Sequence, residues 1–349
     1  MRIGILTYHA SNNYGAVLQA YALVQYLLGA GHDVEIIDYR PNMPEFYFRL
    51  FVYKRGYKVG KAANQHLDCL RNFLHTKVKM SPICRCKSKL CDVISHYDAI
   101  VCGSDEIWNI RKRYRGFNRN FFLDGLANGC IRVSYAATFN NTRVLRPKEK
   151  SIIQKALQRF DALSVRDSMS MDLLQEMGIQ GAERVIDPTL LVCWDTFAQE
   201  VAETPERYVL AYIQKGCNHV AAAKVVKRLA QEYSLPVRAL VPAPDWHGGS
   251  ALTPEQWVGM YKNATMIVTN AFHGVMFAVA MKKPWIAIKS SQKRKIDDFA
   301  SWIGKTECVI APDAGVSEYA YLMTQYTEYE DTLRIPLQES KAFLHRVFS

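Results

Sequence analysis

Nowhere in the 349-residue chain is there a run of about 18 apolar residues free of charge, which excludes an ordinary membrane-spanning helix. The opening Met1-Arg2-Ile3-Gly4-Ile5-Leu6 runs straight into Tyr8 and His9, without the apolar stretch or small-residue cleavage site of a secretory leader. A cytoplasmic protein is expected. Low-complexity segments and sequence repeats are also lacking, and 49% hydrophobic with 22% charged residues is a globular composition. The nine cysteines are an odd number and several sit in apolar runs, so free thiols are expected in a reducing cytosol. Cys84, Cys86 and Cys91 raise the question of a metal, but neither a second pair nor a histidine at finger-like spacing accompanies them. No metal and no resident cofactor are expected.

Acidic residues are scarce between Arg40 and Leu90, where Glu45 and Asp68 stand against twelve Lys or Arg, so nearly all of the +11 net charge gathers there. The same stretch interleaves Phe46, Tyr47, Phe48, Leu50, Phe51, Val52 and Tyr53 with Arg49, Lys54, Arg55, Lys58 and Lys61. Two readings stay open. One is an interfacial helix with its aromatics among headgroups and its lysines on anionic lipid. The other is a solvated helical hairpin packed on its own domain. Nucleic acid ranks below both, because no recognition motif accompanies the charge.

What the chain does contain is a regular alternation of strand and helix patterns. Residues 2–7 are a short apolar run, 15–28 carry apolar residues at helical spacing, and 33–38 resume a strand, which makes a βαβ unit. Further strands are expected at 98–102, 132–137, 162–165 and 183–186, with helices at 148–160 and 167–177. A second series brings strands at 208–213, 236–241, 265–269 and 285–288 and helices at 220–233, 253–263 and 271–281. Thr253-Pro254-Glu255-Gln256 reads as a capped helix start with a capping box. The expectation is α/β: two Rossmann-like doubly wound domains, 1–192 and 193–320, facing a cleft, with helical residues 321–349 packing back across them.

In open α/β sheets ligands bind beyond the carboxyl ends of the strands, so residues just after each strand are the candidates. These are His9, Asn12, Asn13 and Gly15 after the first; Gly103, Ser104 and Asp105 with Trp108; Arg166-Asp167; Asp187-Pro188; and Asn270 to Gly274, including Phe272 and His273. An arginine fork suits a carboxylate or phosphate, unless Arg166 merely pairs with Asp167 or a helix end. Histidine titrates near neutral pH and can both donate and accept a proton. Asp105 is either a base or acceptor ligand, or the cap of the following helix. Asp187 is expected to shape the domain junction, and His247-Gly248-Gly249 to form a flexible loop.

Six blocks in this order carry a resemblance: Ile-Leu-Thr-Tyr-His-x3-Asn-Tyr-Gly-Ala-Val-Leu-Gln from residue 5, Cys-Gly-Ser-Asp-Glu-Ile-Trp-Asn at 102–109, Ser-Tyr-Ala-Ala-Thr-Phe at 134–139, Ser-Val-Arg-Asp at 164–167, Asp-Pro-Thr-Leu-Leu at 187–191 and Thr-Asn-Ala-Phe-His-Gly-Val-Met-Phe at 269–277. Over residues 1–300 the chain resembles the polysaccharide pyruvyl transferase family, whose fold is similar to the two-domain GT-B glycosyltransferases. The resemblance implies transfer of the enolpyruvyl unit of phosphoenolpyruvate, a co-substrate, onto two hydroxyls of a sugar in a bacterial surface polysaccharide or its lipid-linked precursor. It implies that Arg166 grips the donor and that His273 acts as acid and base; with Asp105 from its strand-end position, the expected catalytic set is His273, Arg166 and Asp105, and the expected donor contacts are Arg166, Asn270, Phe272, His273 and Gly274, joined by Lys289 and Arg294 as substitute cations. The acceptor side would comprise His9, Asn12, Asn13, Gly15, Ser104, Asp105 and Trp108. A lipid-linked acceptor would suit a peripheral position on an anionic membrane through residues 40–90; the oligomeric state is left open.

One position departs from the family pattern. Better-known branches carry an arginine two residues before the histidine, where this chain has Ala271, so Lys289, Arg294 or Lys295 is the expected substitute unless these are solvated charges. Two other readings are kept. One is a GT-B glycosyltransferase with a nucleotide-sugar donor, disfavoured because the Glu-x7-Glu pattern fails at Asn263 after Glu255. The other is a homologue in redox or cofactor metabolism.

Overall fold

The computed structural model describes residues 1–41, 57–111, 116–126, 129–140, 142, 144–200, 207–214, 219–240, 252–289, 294–311 and 329–349. The aromatic stretch 46–53 and the loop His247-Gly248-Gly249 lie outside the described residues. The chain divides into two compact units, Met1–Val192 with Leu337–Ser349, and Cys193–Pro336.

The first unit is built on a parallel sheet of β1 (Arg2–Leu6), β2 (Asp33–Ile36), β3 (Ala99–Cys102) and β4 (Ile131–Ser134) in the order β2-β1-β3-β4. A short parallel pair, β5 (Ser164–Val165) and β6 (Glu183–Arg184), continues beyond β4 through the bridges Val133↔Ala162 and Ala137↔Val165. Ile3, Ile5 and all of Ala99 to Cys102 are fully buried, as strands covered on both faces require. The connecting helices are α1 (Tyr14–Gly29), α2 (Tyr57–Lys77), α3 (Lys87–Ile94), α4 (Pro147–Leu157) and α5 (Ser168–Glu176). α2 carries part of the basic segment and packs Phe73 against Tyr21 of α1, ring centroids 5.3 Å apart.

The second unit orders β7 (Val209–Tyr212), β8 (Val237–Ala239), β9 (Met266–Thr269), β10 (Trp285–Ile288) and β11 (Val309–Ile310) as β11-β10-β9-β7-β8, all parallel. Its helices are α6 (His219–Glu232), α7 (Pro254–Asn263), α8 (Phe272–Ala280) and α9 (Lys295–Trp302). The capping box of α7 is present: Gln256 N–H donates to Thr253 Oγ1 at 3.2 Å, and Thr253 N–H to Gln256 Oε1 at 3.0 Å. A last helix, α10 (Tyr329–Phe348), continues through Pro336, and from Leu337 onward it belongs to the first unit. There Ser340 Oγ accepts from Ile186 N–H at 2.9 Å and Arg346 meets Glu183.

Several strands are shorter than their sequence patterns. The fourth stops at Ser134 because Ala136 takes φ 51°, a left-handed conformation that breaks an extended ladder. The edge pair β5 and β6 keeps two residues per strand, and β11, too short to leave a pattern, was not anticipated. The two sheets nevertheless read alike: β2-β1-β3-β4 and β8-β7-β9-β10-β11 each step once to one side of the first strand and then cross over it. Strand order therefore reverses between β1 and β3, and again between β7 and β9. Such switch points leave a crevice at the carboxyl ends of the two diverging strands.

Candidate active site

At the switch point of the first unit the strand ends are tied by side chains. Thr7, just after β1, donates Oγ1–H to the Ser104 carbonyl at 2.8 Å, and Ser104 Oγ donates to the Ala136 carbonyl at 3.1 Å. Gly103 sits at φ +123°, and a Cβ there would lie 2.2 Å from the Tyr135 carbonyl oxygen, so no other residue fits this crossing. Asp105 follows with φ 79°, bridged to Ala137, and its side chain is 13% exposed. It caps no helix; its carbonyl accepts from Thr138 N–H at 3.2 Å.

Arg166, directly after β5, lies with Nη1 2.5 Å from Asp187 Oδ2 and Nη2 3.9 Å from Asp105 Oδ1. Burial disfavours its charge, but Asp187 and Asp105 outweigh that and raise its pKa. Its neighbour Asp167 is otherwise engaged: Oδ1 accepts from Ser170 N–H at 2.8 Å to cap α5, and Oδ2 accepts from Thr138 Oγ1. Asp187 Oδ1 in turn accepts from Thr189 N–H at 3.1 Å and from Thr189 Oγ1 at 2.7 Å.

Several residues expected on the acceptor side have structural work instead. His9 is 3% exposed, with Nε2 2.9 Å from Asp38 Oδ1 and Nδ1 3.2 Å from the Thr7 carbonyl, so neither ring nitrogen is left for a sugar. Trp108 is fully buried, donating Nε1–H to the Phe121 carbonyl at 2.9 Å and stacking on Phe122, because the aromatic cluster of Phe121, Phe122 and Phe139 encloses it. Ser104 is likewise fully buried between strands. Asn13 caps α1, its Oδ1 accepting from the buried Gly15 N–H at 3.0 Å. Asn12 keeps its side chain exposed, and its carbonyl lies 3.0 Å from His66 Nε2, whose ring meets Tyr14 edge-on.

Asp38 and Arg40 are the residues that sequence reasoning passed over. Arg40 grips Asp38 through Nε at 2.5 Å and Nη2 at 2.7 Å. Burial would raise the Asp38 carboxyl pKa, but hydrogen bonds from His9 and Arg40 bring it below the ordinary value. Both follow β2, so the strand-end rule would have found them had it been applied to that strand.

The switch point of the second unit is stapled in the same manner. Asn270, expected to meet the donor, instead clamps the backbone of Gln214: its Oδ1 accepts from Gln214 N–H at 2.7 Å and its Nδ2 donates to the Gln214 carbonyl at 2.9 Å. Thr269 Oγ1 accepts from Ala271 N–H at 3.0 Å and donates to the Tyr212 carbonyl at 2.7 Å. Gly274 packs against this hydroxyl, since a Cβ would fall 2.2 Å from it. Ala271 is the N-cap of α8 and makes no side-chain cap hydrogen bond. Phe272 and His273 open this helix, 5% and 9% exposed. Lys295 Nζ lies 5.5 Å from the Phe272 ring centroid. Lys289, after β10, has 61% of its side chain exposed and stands 3.7 Å from Asp297, and Arg294 is exposed at the start of α9.

These strand ends hold all six sequence blocks, and a profile of the polysaccharide pyruvyl transferase family matches residues 13–292. The chain belongs to that family. No curated protein sequence matches it. Among solved structures it is similar to a UDP-N-acetylglucosamine 2-epimerase (TM-score 0.54, 12% identity, 96% of this chain and 94% of that one). It is also similar to the Neisseria meningitidis UDP-GlcNAc 2-epimerase bound to UDP-GlcNAc (0.53, 9%, 97% and 94%) and to S. aureus MnaA with UDP (0.51, 11%, 97% and 90%). At such identities the likeness is one of fold: an α/β chain of GT-B type with parallel sheets.

For a pyruvyl transferase family member the chemistry at hand divides between the units. The first offers a partly exposed carboxylate, Asp105, with a buried cation behind it. The second offers the N-terminus of α8 with no side-chain cap from Ala271, a histidine in its first turn and Lys295 beside Phe272, a combination that favours anions. Among the described residues no group of three or more His, Cys, Asp or Glu is placed to hold a metal ion, and no helix is long and apolar enough to cross a membrane.

Proposed function

We propose that this pyruvyl transferase uses phosphoenolpyruvate as donor and builds a cyclic pyruvate ketal on one sugar of a bacterial surface polysaccharide or its lipid-linked precursor. One hydroxyl oxygen bonds to the central carbon of the donor while the methylene carbon takes a proton. The second hydroxyl oxygen then displaces phosphate from the same carbon, and its proton leaves with the phosphate. The observation that carries this reading is family membership across residues 13–292.

In this reading His273 protonates the methylene carbon and Asp105 takes the hydroxyl proton. The first turn of α8, with Phe272 and Gly274, and the cations Lys289, Arg294 and Lys295 meet the donor's carboxylate and phosphate, supplying the charge that Ala271 does not. Asn12, exposed between β1 and α1, contacts the acceptor.

The test is phosphate release from phosphoenolpyruvate against a panel of glycosides and glycosyl diphosphates, with the product identified by mass. Turnover that needs both substrates and disappears in His273→Ala is expected. Binding of uridine or guanosine diphosphate, with no phosphoenolpyruvate turnover, would replace this reading with nucleotide-sugar transfer.

We also propose that the protein is cytoplasmic and meets an anionic membrane surface through residues 40–90. Arg40, Lys79 and Lys87 are held internally by Asp38, by Asp33 with Glu35, and by the Asp124 carbonyl. The case therefore rests on Arg49, Lys54, Arg55, Lys58 and Lys61 beside their aromatic neighbours. Replacing Lys54, Arg55, Lys58 and Lys61 by glutamine should abolish co-sedimentation with phosphatidylglycerol vesicles; unchanged sedimentation refutes the proposal.

A further inference from the structure

Beyond the carboxyl ends of β1, β2 and β3 three aromatic rings stand in a row. Phe121 lies between Tyr8 and Tyr39, its ring centroid 4.6 Å from the first and 5.6 Å from the second. Its carbonyl ties it to the sheet end, accepting from Cys102 Sγ–H at 3.3 Å and from Trp108 Nε1–H at 2.9 Å. Tyr8 follows Thr7, whose hydroxyl is bonded to the residue before Asp105, so the row starts next to the strand end that carries Asp105. Tyr39 is 6% exposed, and its phenol oxygen accepts from Asn118 Nδ2 at 3.1 Å and from Asn120 Nδ2 at 2.8 Å. Asn118 is fixed in this orientation because its Oδ1 accepts from Asn120 N–H at 3.1 Å. With two bonds arriving at the phenol oxygen, its O–H hydrogen is left to donate, and among the described residues no acceptor takes it. Asn120 Oδ1 likewise has no donor among the described residues, and Asn118 and Asn120 are half-buried.

We infer that Tyr39 and Asn120 form a subsite for one hydroxyl of the acceptor sugar, an inference that rests on the proposed transfer to a glycan. A hydroxyl accepts through its oxygen and donates its own hydrogen, so it takes the phenol's hydrogen and gives one to the amide oxygen. A carboxylate or phosphate could accept the first bond but would meet the Asn120 oxygen with repulsion. The cations of this region are committed elsewhere, Arg40 to Asp38 and Arg119 to Asp124, so an uncharged polyhydroxyl ligand is favoured over an anion. An amide oxygen is too weak a base to remove the hydroxyl proton, so the subsite holds the sugar and takes no part in the reaction. Its effect is on specificity: a sugar lacking that hydroxyl leaves both the phenol and the amide unpaired.

The test uses the full chain with methyl glycosides of hexoses and N-acetylhexosamines and their monodeoxy analogues, read by calorimetric Kd and by phosphate release from phosphoenolpyruvate. For the glycoside that binds, removal of one particular hydroxyl should weaken binding to the wild type about tenfold or more. Tyr39→Phe keeps the ring against Phe121 and removes only the hydroxyl; Asn120→Ala removes the amide. Each should raise the Kd and KM for the parent glycoside about tenfold, with kcat and the KM for phosphoenolpyruvate within about twofold of wild type. In the double variant the parent and that deoxy analogue should bind alike, because the contact is already lost. A purely structural role would lower the Tm of the variants and leave the relative affinities of the glycosides unchanged.

Variants that keep the wild-type Kd and KM for the glycoside, or a deoxy loss that persists undiminished in the double variant, overturn the inference and leave the transferase reading intact. Glycoside binding that depends on Tyr39 and Asn120, with no turnover of phosphoenolpyruvate, keeps the subsite and removes the transferase reading. Wild-type protein that binds none of the glycosides overturns the subsite.

Discussion

Gly274→Ala tests how tightly the start of α8 is built. The added Cβ would sit 2.2 Å from Thr269 Oγ1, 2.9 Å from its Cβ and 3.0 Å from its Cγ2, and Thr269 is fully buried. The threonine cannot rotate away freely, because its hydroxyl accepts from Ala271 N–H and donates to the Tyr212 carbonyl. Overpacking of this kind costs about 1–3 kcal/mol, and each disturbed hydrogen bond adds about 1 kcal/mol. The better helix propensity of alanine returns about 1 kcal/mol, leaving a net loss of about 2–4 kcal/mol. At about 2–4 °C per kcal/mol for a unit of this size, the Tm of the second unit should drop by about 4–16 °C. The assay is calorimetry of Gly274→Ala, Thr269→Ala and the double variant. Removing the threonine's outer atoms relieves the clash, so the double variant should be less destabilised than the sum of the singles. A wild-type Tm for Gly274→Ala, or strict additivity in the cycle, would refute the argument.

Asn270→Asp sets a carboxylate oxygen against the Gln214 carbonyl in place of an amide donor at 2.9 Å, inside a fully buried position; a loss of about 2–4 kcal/mol is expected in urea unfolding, and an unchanged midpoint contradicts the clamp. Arg111 holds the Glu149 carboxyl down to about 2, with help from the Arg146 N–H. This depressed value makes its stabilising contribution fully present above the ordinary value of 4.5 and lost as pH falls toward 2, so Glu149→Gln should flatten the fall in urea midpoint across that window. Among the thiols, exposed Cys86 is held below the ordinary value by the Ser88 hydroxyl, whereas burial pushes Cys84 up to about 11 and raises Cys102 further. Iodoacetamide at neutral pH should therefore label Cys86 well before Cys84 or Cys102, as read by peptide mass spectrometry; equal rates would contradict the burial pattern.

The elements of the fold were legible where they leave a local pattern. The capping box at Thr253 and Gln256 needs only a spacing of three, and the βαβ opening needs only period-2 and period-3.6 runs. What pairs with what was not legible. His9 finds Asp38 from 29 positions away and Arg166 finds Asp187 from 21, while the adjacent Asp167 turns to Ser170. No one-dimensional pattern distinguishes these choices, because they follow from which strand ends the sheet order brings together. Trp108 shows the same limit: it follows a strand end in sequence, but three phenylalanines from positions 121 to 139 decide that it is core.

Family blocks and ligand contacts are therefore different things in this chain. A parallel ladder ends where its strands diverge, and the backbone groups there still need partners. Thr7 with Ser104 closes the gap between β1 and β3, and Asn270 with Gln214 closes the one between β7 and β9. The two staples occupy matching places in two sheets of the same strand order. Residues bound to that task lie inside the blocks beside any that touch substrate, and a shared motif does not tell them apart. Burial and existing partners do: Ser104, Trp108, His9 and Asn270 already have their hydrogen bonds, whereas Asn12, Asp105, Lys289 and Arg294 keep side-chain surface at the strand ends. Substitutions in the first set should therefore show first in stability, and substitutions in the second first in turnover, so a unit that melts normally while losing activity is the signature that locates the reacting edge of the sheet.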